Sequence, residues 1–122
     1  MTKFYIVRHG QTDFNKNHKI QGRLDVPLNE SGMEQAKKIA KDLAKVKFDA
    51  IYYSPLIRAK QTADEVAREH SSAEYIEAPE IMERDFGDYE GKPSNVEPPY
   101  YVGYGTIIWN LNLLKMGKLW KI

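Results

Sequence analysis

The sequence predicts an α/β fold with parallel βαβ units. Three observations carry this: two amphipathic helical stretches, three short runs rich in aromatic and β-branched residues, and the alternation of the two kinds along the chain. Residues 3–8, Lys-Phe-Tyr-Ile-Val-Arg, are the first run, and they read as a buried strand closed by a turn at His9-Gly10. Polar residues follow as far as Ser31, where Ser31 and Glu34 have the spacing of a capping box and predict a helix start. Ala36, Ile39, Ala40, Leu43 and Val46 then share one face, with Lys37, Lys38, Lys41 and Asp42 pointing elsewhere, so that face is expected to pack on a sheet. Residues 48–53 read as the second strand. Ser54-Pro55 reads as the next helix start, a capping hydroxyl followed by proline at the first helical position. Leu56, Ala59, Ala63, Val66 and Ala67 form the inward face of that helix. A third strand is expected over residues 75–78, ahead of Pro79, and the order strand, helix, strand, helix, strand implies right-handed crossovers.

Composition narrows the function classes. A chain of 122 residues with net charge +1 fits one domain, read here as residues 1–97. With 42% hydrophobic and 29% charged residues it is neither disordered nor collagen-like nor a coiled coil. The absence of cysteine excludes disulfide scaffolds, zinc fingers, iron–sulfur clusters and thiol nucleophiles, and it fits a reducing cytoplasm. The N-terminal apolar run meets Arg8 and His9 too soon to be a signal peptide. No basic tract offers the clustered charge that a nucleic-acid partner needs. Residues 98–122 differ in kind, with three lysines, no acid and both tryptophans, Trp109 and Trp120. The 17 residues from Pro98 to Leu114 lack ionisable groups other than tyrosine, yet they contain two prolines, two glycines and two asparagines. A spanning helix needs ~20 mostly apolar residues, so no membrane partner is expected. This segment is expected to pack on or extend the same domain.

Two sites are placed where parallel sheets bind ligands, outside the carboxyl ends of the strands. Arg8 and His9 end the first strand, Ser54 ends the second, and Arg58 lies one turn into the helix that follows. Free amides at a helix start and two guanidinium forks would form an anion pocket, in which an uncharged His9 imidazole could attack phosphorus. The same residues also read as ordinary surface groups at strand ends. The acid-rich stretch 83–90 reads equally as a solvated loop, and it lacks the ligand spacing of a metal site.

Arg8-His9-Gly10-Gln11-Thr12 with Asn15 resembles the RHG-x-T-x-x-N signature of the histidine phosphatase superfamily, the phosphoglycerate mutase-like proteins. Further blocks follow in family order: Gln21-Gly22-Arg23-Leu24-Asp25 with Pro27-Leu28, Gly32 and Gln35-Ala36; Ser54-Pro55-Leu56 with Arg58-Ala59 and Gln61-Thr62-Ala63; Met82-Glu83 with Phe86-Gly87, Tyr89 and Glu90-Gly91. The resemblance covers residues 3–91. It implies a three-layer α/β sandwich on a mostly parallel sheet, with no metal and no cofactor. It implies His9 as nucleophile, Arg8 and Arg58 as the phosphate clamp, and Asn15 as a further donor to the phosphoryl group. Gln21 and Gly22 would line the substrate side, and Glu83 would protonate the leaving alkoxide. The implied activity is a phosphatase acting on a small phosphorylated metabolite through a phosphohistidine. The alternatives are a phosphoglycerate-type phosphomutase or an inactive fragment that only binds anions or partners.

The family's second histidine, in a His-Gly motif after a later strand, has no counterpart, because no histidine follows Glu83. His18 falls in a polar loop, and His70 reads as a favourable cation at a helix C-terminus. From about Pro93 the similarity ends, so the domain is expected to be incomplete at its C-terminus. The apolar surface left over is expected to drive self-association into a homo-oligomer.

Overall fold

Residues 3–94 are described in a computed structural model, and the expectations for residues 98–122 lie outside the described residues. The elements in chain order are α1 (Asp13–Lys16), α2 (Glu30–Asp42), β1 (Ala50–Tyr53), α3 (Ile57–Arg68) and β2 (Glu74–Glu77), followed by single 3₁₀ turns at Pro79–Ile81 and Gly87–Tyr89. β1 and β2 pair in parallel with α3 as the crossover, in the register Ala50↔Glu74, Ile51↔Tyr75, Tyr52↔Ile76 and Tyr53↔Glu77. The predicted α/β class with a parallel sheet is therefore what the chain adopts, and β2 lies one residue from its expected position.

The first predicted strand is not a strand. Residues 3–8 make no ladder with any described segment, and β1 and β2 are the only strands among the described residues. An extended run becomes a strand only where a neighbour takes up its N–H and C=O groups. The Tyr5 ring meets Phe48, just ahead of β1, edge-on at 5.3 Å. Phe4 and Tyr5 stay 41% and 49% exposed.

Both helix starts shift for reasons of capping. In α2 the cap is Asn29, whose side chain accepts from Gly32 N–H at 2.8 Å, and Ser31 lies inside the first turn. Asn29 competes successfully because its Nδ2 also donates to Gln11 Oε1 at 3.1 Å, tying the cap to the loop after His9. In α3 the helix begins at Ile57 rather than at Pro55, and its cap, Leu56, has no side-chain acceptor. Asp25 supplies one from elsewhere in the chain, its Oδ1 accepting from Ile57 N–H at 2.7 Å.

The core between α2 and α3 is made of Leu28, Ala36, Ala40, Leu56 and Val66, with Ala78 and Phe86 buried nearby. Small residues on α2 allow the two helices to approach closely. At the far end of the pair, His70 lies at the C-terminus of α3, as its position in the sequence predicts, and is buried there. Its Nδ1 lies 2.8 Å from Val66 O, and its Nε2 lies 2.7 Å from Val46 O and 3.0 Å from Leu43 O. The imidazole thus joins carbonyls left over at the ends of both helices, and its ring packs on Phe48 at 4.7 Å.

Candidate active site

The loop carrying His9 is fixed by backbone approach. A Cβ at Gly10 would run into the Gly32 carbonyl, and one at Gly32 would run into Gln11, so glycine at both positions lets the loop lie against the first turn of α2. Gly10 N–H donates to Thr62 Oγ1 at 3.2 Å, and Thr62 Oγ1 donates to Arg58 O at 2.9 Å. Gln11 N–H donates to Gln35 Oε1 at 2.8 Å. The loop is therefore bonded to both α2 and α3, although no sheet ladder holds it.

His9 Nδ1 lies 2.7 Å from the Gly10 carbonyl oxygen, an arrangement that assigns the proton to Nδ1 and leaves the lone pair on Nε2. Burial pulls the imidazole pKa down, Arg58 and Arg8 pull it further, and the Gly10 carbonyl resists; the result is about 4. At neutral pH His9 is thus uncharged beside two cations. Glu83 responds in the opposite sense. Burial raises its pKa, while the Arg84 N–H donated to its Oε1 at 2.7 Å and the charges of Arg58, Arg8 and Arg84 oppose the shift. His9 and Glu83 both lie within reach of the fields of Arg8 and Arg58.

Arg58 is 2% exposed, the most buried charged side chain described. Its Nη2 donates to Gly22 O at 2.6 Å and its Nη1 to Leu24 O at 2.7 Å. It has no ion-pair partner among the described residues; Glu83, Asp25 and Glu90 act on it only as fields. The guanidinium thus grips the turn 22–24 while its positive charge stays available to the site. Arg8 is exposed.

Asn15, Gln21 and Gly22 are turned largely to internal tasks. Asn15 Oδ1 accepts from Thr12 N–H at 3.0 Å and closes a capping box on α1, so what Asn15 can offer an anion is its Nδ2 amide. Gln21 is buried, with Oε1 2.5 Å from Thr12 Oγ1. Gly22 is buried at φ +54°, and a Cβ there would meet the Glu90 carboxylate. Sequence reasoning quoted Thr12, Asp25, Thr62 and Glu90 inside motif blocks without giving them tasks. Asp25, Thr62 and Glu90 accept from backbone N–H groups far along the chain, and Thr12 bonds the Gln21 side chain; these contacts place the turn 21–25 and the His9 loop. No group of three or more metal-ligating side chains is clustered among the described residues.

The model of the histidine phosphatase superfamily (branch 1) matches residues 4–102. An uncharacterized phosphatase, PhoE, of Bacillus subtilis is 43% identical over 93 residues, covering 76% of this chain and 48% of that one. A metal-independent phosphoserine phosphatase of Arabidopsis thaliana is 41% identical over 92 residues, covering 75% of this chain and 39% of that one. Among solved structures, phosphoserine phosphatase of Entamoeba histolytica in complex with 3-phosphoglyceric acid superposes with a TM-score of 0.64 at 34% identity, over 84% of this chain and 49% of that one. The chain spans about half or less of the length of these relatives.

Proposed function

The chain belongs to the histidine phosphatase superfamily, and from that premise we propose that it is part of a metal-independent phosphatase that hydrolyses a small phosphorylated metabolite through phosphohistidine at His9. The observation that carries the reading is the neutral His9 imidazole, with its Nδ1 proton committed to Gly10 O, held in the field of Arg8 and Arg58. A charged imidazole would have no lone pair to give, and without the arginines a phosphate dianion would repel the approach of any nucleophile.

In the first step Nε2 attacks phosphorus, forming a P–N bond as the P–O bond to the substrate alcohol breaks. The leaving oxygen takes a proton from Glu83, whose pKa burial raises. Arg58 and Arg8 carry the charge that spreads over the phosphoryl oxygens, with the Asn15 amide as a further donor. In the second step the Glu83 carboxylate takes a proton from water as the water oxygen attacks phosphorus. The P–N bond then breaks, and orthophosphate leaves with His9 restored. The phosphatase names of the relatives support hydrolysis over transfer to a second substrate. Among the described residues no helix is long and apolar enough to cross a membrane, which fits a substrate met in solution.

The test is hydrolysis of an aryl phosphate by the purified chain with a chelator present, beside His9→Ala. Turnover that survives chelation and falls by about a thousandfold or more in His9→Ala supports the reading. Equal rates in the two proteins contradict it.

A further inference from the structure

Glu90 joins two segments through a single oxygen. Its Oε1 accepts from Arg23 N–H at 2.7 Å and from Phe86 N–H at 3.2 Å, so one carboxylate ties the turn 22–24 to the stretch that follows Glu83. Gly22 leaves it the room: a Cβ there would run into Glu90 Oε1, and the φ of +54° suits glycine at that point. The same turn is bonded to Arg58, whose Nη2 and Nη1 donate to Gly22 O and Leu24 O. It is bonded to the proposed acid as well, since Arg23 Nε donates to Glu83 O at 3.0 Å. Arg58 and Glu83 are therefore attached to one short turn, and Glu90 clasps that turn from the acid's own segment.

Phosphoryl transfer needs the clamp and the acid at a fixed separation, because Arg58 faces the phosphoryl group and Glu83 has to meet the leaving oxygen of that same group. A displacement of ~1 Å can cost roughly a hundredfold in rate. Bonds from backbone N–H groups to a carboxylate are charge-assisted, which fits Glu90 to hold such a separation. We propose that Glu90 is a positioning residue for proton transfer, keeping Glu83 at the distance from Arg58 at which it can protonate the leaving oxygen. It acts through the turn 22–24 and touches neither the phosphoryl group nor the leaving group. The role rests on the phosphatase reading, in which Glu83 is the acid. Glu90 also adds its charge to the field at Arg58, an effect that does not depend on its reach.

The test compares kcat/KM of the full chain for phenyl phosphate and for 4-nitrophenyl phosphate. Phenoxide, from a phenol of pKa ~10, leaves poorly without a proton, whereas nitrophenolate leaves readily without one. The ratio of the two constants thus reports the acid, while loss of folded protein lowers both alike. Glu90→Asp keeps the charge but is one methylene short of spanning both amides, and the phenyl-to-nitrophenyl ratio is expected to fall about tenfold or more. Glu90→Gln keeps the reach and an acceptor oxygen without the charge, and its ratio is expected to stay within about twofold of the parent. Arg23→Met removes the bond to Glu83 O at an exposed position and should lower the ratio too, which gives a second reading if Glu90→Asp does not fold. His70→Ala, at the far end of the helix pair, should keep the parent ratio. An unchanged ratio in a folded Glu90→Asp, or in Arg23→Met where the aspartate variant does not fold, overturns the role of Glu90 and leaves the phosphatase reading standing. A fall in Glu90→Gln as large as that in Glu90→Asp assigns the effect to charge and overturns the role as well. Absence of His9-dependent hydrolysis in the parent overturns both.

Discussion

The two ends of the α2–α3 pair bury polar groups in opposite ways. At the far end, His70 turns both ring nitrogens toward carbonyl oxygens and packs its ring on Phe48, so its polar contacts are made within the fold. At the near end Arg58 is buried more deeply, and its partners are two neutral carbonyls. Among the described residues its positive charge has no ion pair, His9 beside it is driven neutral, and the pKa of Glu83 is raised. A buried polar cluster whose groups are matched serves packing. A cluster whose charge is left unmatched costs stability, and it persists where a ligand of opposite sign supplies the match.

Removing the buried cation should have the largest effect. Arg58→Ala strands the Gly22 and Leu24 carbonyls, and it is expected to cost about 3 kcal/mol or more in urea unfolding. It should also abolish phosphate binding measured by calorimetry. His70→Ala is expected to cost about 2 kcal/mol by the same unfolding measurement while phosphate affinity stays at the parent value, which separates the two ends of the helix pair. Equal loss of phosphate binding in both variants would break the comparison.

Acid should act on the near end through His9. Its folded pKa of about 4 lies below the ordinary 6.5, so the unfolded chain binds the extra proton first. Stability from this group is therefore fully present above pH 6.5 and lost as pH falls toward 4. The expected loss is about 2 kcal/mol between pH 7 and pH 5. His9→Asn should flatten that part of the stability profile. In Glu83 the sign is reversed: its raised pKa costs stability as pH rises through it, and the same ionisation should form the alkaline limb of kcat/KM.

Gly32→Ala should cost about 1 kcal/mol in thermal unfolding, because the clash with Gln11 exceeds the gain in helix propensity. The smallest effect is expected on the exposed face of α3. Lys60→Ala, which removes the surface pair with Asp64 at 3.1 Å, should change stability by less than about 0.5 kcal/mol.

Local patterns read well from the sequence. Ala36 and Ala40 face inward as the helical spacing requires, Leu56 and Val66 do the same on α3, and the parallel β–α–β unit follows from their alternation. What the sequence hid depends on partners far along the chain. Residues 3–8 have the composition of a strand but no ladder among the described residues. Ser31 has a good capping pattern, yet Asn29 prevails because Gln11 bonds it from another segment. Motif blocks point to His9, Arg8, Arg58 and Glu83 as candidates, whereas the neutrality of His9 depends on burial, which spacing does not report. Asp25 as the cap of α3 and Glu90 as the tie on Arg23 each act across more than thirty residues, beyond any local pattern.

The proposed reaction turns on a neutral His9 imidazole, protonated on Nδ1 and flanked by arginines. A pH titration of the full chain labelled with ¹⁵N-histidine, using His9→Asn to assign the resonance, reads both the tautomer and the pKa. The expected result is Nδ1 protonation at neutral pH and a midpoint of about 4. A His9 that titrates at its ordinary 6.5, or that carries its neutral-form proton on Nε2, would contradict it.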